Sequence, residues 1–89
     1  MSQVKLRIYG KVQGVFFRDS TKKKANELGV EGWVRNEPDG SVTAVAQGEE
    51  EAVQQLIKWC HQGPPEAEVS KVEVENQEEE NWQNFAVKR

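Results

Sequence analysis

The 89-residue sequence is poor in the residues that build metal and disulfide sites: it has one cysteine, one histidine, one methionine and one tyrosine. Cys60 has no partner for an internal disulfide, and one Cys with one His is too small a set for a zinc site. No apolar run approaches the roughly 20 residues of a membrane span. The opening "MSQVKLRIYG" lacks the apolar stretch of a signal peptide. A cytoplasmic protein is the expectation, one domain over residues 1–89 with no room for a second core. Low-complexity tracts and internal repeats are also missing. Hydrophobic residues make up 36% and charged residues 30%, a mixture that fits a folded globular chain rather than a disordered one.

Charge of one sign is scarce in each half. Residues 1–35 hold eight Lys/Arg against three Asp/Glu, or +5, and residues 36–89 hold four against twelve, or −8, for a net −3. A small anion would be drawn to the first half. A long polyanion would be repelled by the second, which argues against nucleic-acid binding.

Periodicity divides the chain into short elements. "QVKLRIYGKV" alternates Val4, Leu6 and Ile8 with Lys5, Arg7 and Tyr9, a half-buried strand. After the loop "QGVFF", Phe17, Thr21, Ala25 and Leu28 form one helical stripe, and Gly29 is placed to end the helix. "VEGWVRNE" and "SVTAVAQG" bracket the turn Pro38-Asp39-Gly40 and read as a hairpin. "EEEAVQQLIKWCHQ" is a second helix with Val53, Leu56, Ile57 and Cys60 inward, stopped by "GPPE". "VSKVEVEN" is a further strand, "QEEEN" a solvated loop and "NFAVKR" a short closing strand. The order β-α-β-β-α-β plus one short C-terminal strand implies an α+β ferredoxin-like sandwich, with two helices on one face of an antiparallel sheet. That fold hosts many functions and selects none.

Two stretches carry possible chemistry. In "GKVQGVFFR" (Gly10–Arg18) a strand ends, a glycine loop follows and a helix begins. The first N–H groups of a helix lack internal partners and sit at its positive end, so such a junction can cradle phosphate, sulfate or carboxylate. Gly14 permits close backbone approach, and Arg18 offers a planar fork for two oxygens. The pattern is neither a Walker loop, since Val15 follows Gly14, nor the dinucleotide glycine motif. Strand–loop–helix junctions with one arginine also occur without any site. In "GWVRNEPDG", Asn36 shares a strand face with Val34, opposite Trp33 and Arg35. It is either a turn residue or an amide that orients a water or a substrate oxygen; it is not a base at neutral pH, so any action is by positioning.

At every specified position "GKVQGVFFR" resembles the acylphosphatase signature Gly-x-Val-Gln-Gly-Val-x-Phe-Arg. "GWVRNEPDGSVTAVAQG" is similar to the family's second signature through Gly32, Asn36, Gly40, Val42 and Gly48. The similarity spans essentially the whole chain. It implies a monomeric enzyme without metal, cofactor or covalent intermediate that hydrolyses small-molecule acyl phosphates to carboxylate and inorganic phosphate. By the same resemblance, the loop Gln13, Gly14, Val15, Phe16, Phe17, Arg18 binds the phosphoryl group, Arg18 is the essential phosphate-binding arginine and Asn36 orients the attacking water. The C-terminus is the one departure. Members often end in an aromatic residue or with arginine in the last strand, and this chain ends "FAVKR". In some members the terminal carboxylate holds the active-site arginine; whether Arg89 does so here is left open by the sequence. Two other readings fit the fold: an anion- or RNA-binding module without turnover, and a detached copy of the acylphosphatase-like domain of carbamoyl-transfer maturation proteins. The missing ring pattern on the first strand speaks against RNA, intact Arg18 and Asn36 against a module without turnover, and the short length against the detached domain.

Cys60 and His61 are adjacent but about 100° apart on a helix, so they form no dyad; Cys60 belongs to the core and His61 to the surface. Glu49–Glu51 and Glu78–Glu80 read as solvated runs rather than metal ligands.

Overall fold

The computed structural model describes residues 1–88. Its elements run β1 (Ser2–Lys11), α1 (Phe17–Leu28), β2 (Glu31–Asn36), β3 (Val42–Gly48), α2 (Glu50–Gln62), β4 (Glu68–Gln77) and β5 (Phe85–Lys88). The strands form one sheet in the order β4-β1-β3-β2-β5. β1 lies antiparallel between β3 and β4, and β2 and β3 form the expected hairpin. This is the ferredoxin-like α+β arrangement.

Alternation along β1 works as its sequence implies. Val4, Leu6 and Ile8 are buried in the core, in register with Ala46, Ala44 and Val42 of β3. The helices add their stripes to that core: Phe17, Thr21 and Ala25 from α1, and Val53, Leu56, Ile57 and Cys60 from α2. Burying the Val, Leu, Ile and Phe side chains of this set gains about 1.5–3 kcal/mol each. Phe17 meets Trp59 of α2 with ring centroids 5.7 Å apart, which fastens the first turn of α1 to the second helix. Helix α1 ends at Gly29 in the left-handed conformation, and Val30 N–H closes the turn on the Ala25 carbonyl at 2.8 Å.

Three features depart from the simple reading. The sheet is mixed rather than wholly antiparallel, because β5 runs parallel to β2 at the edge opposite β4. To reach that edge the chain after Gln77 crosses the sheet from β4 to β2. The crossing segment is therefore not merely a solvated acidic loop. Gln47 exchanges two hydrogen bonds with the Glu80 backbone at 2.7 and 2.8 Å, Gln3 donates to the Glu80 carboxylate at 2.9 Å, and Trp82 Nε1 donates to Gln3 Oε1 at 2.9 Å. Two buried glutamines thus gain the partners that burial demands. Finally, β4 changes phase: Tyr9 pairs with Lys71 but Gly10 pairs with Val69, so Ser70 is an extra residue in a bulge. Val69 and Val72 are both half-buried in spite of their odd spacing.

Candidate active site

The junction between β1 and α1 curls tightly. Gly14 (φ 75°) and Phe16 (φ 63°, ψ 24°) both take left-handed backbone, on either side of Val15. No other described non-glycine residue has positive φ. Such a conformation costs a non-glycine residue about 1–3 kcal/mol. Phe16 also occupies the N-cap of α1 without a side-chain cap bond, where Ser, Thr, Asp or Asn would ordinarily stand. Alternation with left-handed residues gathers successive backbone N–H groups into a concave nest for an anion. The hydrogen bonds agree: Ser20 N–H is the first in the helix to find a backbone carbonyl, that of Phe16 at 3.0 Å, and among the described residues the N–H groups of Gly14 through Asp19 donate to no backbone carbonyl. The N-terminal end of α1 adds about half a positive charge.

The neighbouring side chains divide by function. Val15 and Phe17 are buried and anchor the loop in the core. Gln13 turns away from the nest: its Nε2 donates to the Glu37 carbonyl at 2.8 Å and the Ser41 carbonyl at 2.9 Å. Those two carbonyls belong to the turn that follows Asn36. Arg7 of β1 holds the same turn from its other side, pairing with the Asp39 carboxylate at 3.0 Å and donating to Ser41 Oγ at 2.9 Å. Asp39 Oδ1 also accepts from Ser41 N–H at 2.9 Å and from its hydroxyl at 2.6 Å. The Ser41 hydroxyl and amide, aided by Arg7, hold the Asp39 carboxyl below the usual carboxylate range.

A cleft of about 310 Å³ opens between the loop and the end of β2, lined by Val12, Gly14, Phe16, Phe17, Arg18, Asp19, Asn36 and Val87. Arg18 and Asn36, 18 positions apart in the chain, therefore share one wall-to-wall space. Arg18 sits in the first turn of α1, with Nη1 3.4 Å from the Lys88 carbonyl of β5. Whether the Arg89 carboxylate reaches Arg18, which the sequence leaves open, lies outside the described residues. Asn36 is half-buried at the end of β2, beyond fully buried Val34. Val12, Asp19 and Val87 are cleft residues that sequence reasoning did not single out. Val12 has the inward phase that would have marked it; Val87 enters through β5, whose sheet partner no local pattern announces. Gln13 and Val15, expected in the binding loop, line the cleft with neither side chain.

The remaining titratable candidates stay apart. Cys60 is buried in the core, which pushes its thiol up to about 12, and His61 is exposed on the next helical position. Among the described residues no three His, Cys, Asp or Glu side chains gather as a metal site, and no helix is long and apolar enough to cross a membrane.

Comparison with known proteins gives a consistent answer. The acylphosphatase family model matches residues 4–87. An acylphosphatase of Rubrobacter xylanophilus is 59% identical over 75 residues, covering 84% of this chain and 68% of that protein. The solved structure of an acylphosphatase from Coxiella burnetii matches with a TM-score of 0.95 at 44% identity, over 98% of this chain and 92% of that one. The crystal structure of the acylphosphatase from Bacillus subtilis matches with a TM-score of 0.97 at 31% identity over the whole of both chains.

Proposed function

The chain belongs to the acylphosphatase family, and from that premise we propose that it hydrolyses the carboxyl–phosphate bond of acyl phosphates at the cleft between the β1–α1 loop and Asn36. The observation that carries this reading is the meeting of an anion nest, Arg18 and Asn36 in one cleft. The N–H groups from Gly14 to Arg18 receive the phosphoryl oxygens, and the Arg18 guanidinium binds two of them in its planar fork. Charge-assisted hydrogen bonds of this kind contribute about 1.5–3 kcal/mol each. The Asn36 amide orients a water in line with the bond to be broken. A new bond forms between the water oxygen and phosphorus as the bond from phosphorus to the acyl oxygen breaks. The carboxylate leaves with the electron pair of that bond, and the water proton passes to a phosphoryl oxygen.

This division of labour suits the substrate. A carboxylate is a good leaving group, so no strong general acid is needed. Phosphoryl transfer depends mainly on positioning and on stabilising the equatorial oxygens. Arg18 and a fixed set of backbone dipoles supply the second, and Asn36, held by the clamped turn behind it, supplies the first. The same reading takes residues 1–89 as one domain that works as a cytoplasmic monomer on small acyl phosphates, with inorganic phosphate as the second product and neither metal nor nucleic acid as partner.

The test is hydrolysis of benzoyl phosphate with chelator present, by wild type and Arg18→Ala in parallel. Chelator-resistant hydrolysis that is lost in Arg18→Ala is expected. A well-folded wild type without hydrolysis would leave an anion-binding module in place of the enzyme.

A further inference from the structure

Phe16 stands apart from its neighbours in the loop. Its neighbours Val15 and Phe17 are 4% and 1% exposed, yet Phe16 itself is 71% exposed. Three large apolar side chains stand out into solvent among the described residues, Met1, Phe16 and Val74, and of these Phe16 alone lines the cleft. The backbone there is left-handed, a conformation in which glycine or asparagine is at ease and an aromatic residue is not. The N-cap goes without a side-chain bond. An exposed ring, a left-handed aromatic and an uncapped helix start thus coincide at the lip of the anion nest, and departures from local rules concentrate where a ligand is handled.

We infer that the Phe16 ring is the specificity-determining contact for the acyl group, and that it favours acyl phosphates whose acyl part is aromatic or broadly apolar and uncharged. The inference rests on the reading of the cleft as an acyl-phosphate site. Once the phosphoryl head occupies the nest, the acyl part has to leave it across the cleft. At about 310 Å³ that cleft is at the small end of ligand pockets but exceeds what a phosphoryl group alone requires. Val12 and Val87 extend an apolar wall beside Phe16. Asp19, also in the lining, adds a negative charge to the cleft, which disfavours an acyl part that carries a second negative charge. A flat ring offers contact area at little cost in side-chain freedom, and pairs edge-to-face or offset with another ring.

The full-length protein tests this with two substrates, benzoyl phosphate and acetyl phosphate, and with the variants Phe16→Asn and Phe16→Tyr. Asparagine tolerates left-handed backbone and so removes the ring while keeping the nest; tyrosine keeps the ring. The ratio of kcat/KM for benzoyl over acetyl phosphate should fall about fivefold in Phe16→Asn, the scale of one aromatic contact. The fall should be carried mainly by KM and be restored in Phe16→Tyr. Should Phe16→Asn fail to fold, Phe16→Gly removes the ring at a positive-φ position and gives the same ratio. A ratio that is equal in all the proteins, or a loss of the same size on both substrates, overturns the inference while leaving the hydrolase reading intact. A wild type that hydrolyses neither substrate overturns that reading and this inference with it.

Discussion

Replacing Gln13 by leucine should loosen the site without touching any group that meets the substrate. The Gln13 amide nitrogen faces two carbonyl oxygens, Glu37 at 2.8 Å and Ser41 at 2.9 Å, so its orientation is forced: only the nitrogen can donate. Each such bond contributes about 1 kcal/mol net, and leucine leaves both carbonyls without this donor, so the fold should lose about 2 kcal/mol. In a domain of this size that lowers Tm by about 10 °C. The kinetic effect comes from position. Gln13 belongs to the nest loop, and the turn it holds follows Asn36 directly. A misplacement of about 1 Å between water and phosphorus can cost about 100-fold in rate, so kcat should fall by roughly one to two powers of ten. Gln13→Glu should be worse than leucine at neutral pH, because a carboxylate oxygen then faces two carbonyls. The two carbonyls raise the folded pKa of that carboxyl above its unfolded value, so the penalty is absent below the ordinary glutamate range and grows as pH rises from there towards the folded value. Thermal melts and steady-state kinetics read both effects. If Gln13→Leu melts within about 2 °C of wild type and turns over normally, the tie between loop and turn carries no weight.

The remaining predictions concern two titrations away from the nest. Asp39, with its carboxyl held low by Ser41 and then Arg7, contributes stability that is present above its unfolded pKa and lost as pH falls through its lower folded pKa. Asp39→Asn should therefore flatten the acid limb of a stability–pH curve, and an unchanged limb would count against the clamp. Cys60, whose thiol burial raises from 9.0 to about 12, has the opposite sign. Its contribution is complete below the unfolded value and is lost as pH rises from there towards the folded one. The folded protein should resist alkylation by a maleimide at pH 8 and react once urea unfolds it; rapid reaction of the folded protein would contradict its place in the core.

Much of this was legible because the signals are local. Val4, Leu6 and Ile8 alternate, α1 and α2 carry clean apolar stripes, Gly29 ends α1, and Pro38-Asp39-Gly40 marks the hairpin turn; each depends on residues close in sequence. The loop from Gly10 to Arg18 and Asn36 stood out for the same reason, as a strand–loop–helix junction and a strand end. What escaped depends on distant partners. The parallel pairing of β5 with β2, and with it Val87 in the cleft, follows from a chain crossing that "QEEEN" does not announce. Glu80 is exposed, as its acidic run implies, but it also bonds Gln3 and Gln47, more than thirty positions away. The bulge at Ser70, where the register with β1 shifts between Tyr9 and Gly10, changes the phase of β4. Gln13 reads as a loop residue for the ligand, whereas its side chain serves the turn. The left-handed conformation of Phe16 runs against residue preference, so propensity predicts the reverse of what is found.

The most direct test of the account is Asn36→Ala, measured for both turnover and phosphate binding. If Arg18 and the nest hold the phosphoryl group while Asn36 only positions water, kcat on benzoyl phosphate should fall by about 100-fold or more, while the inhibition constant of inorganic phosphate moves by less than about threefold. An Asn36→Ala protein that keeps full turnover, or that loses phosphate binding in step with turnover, would contradict that separation of roles.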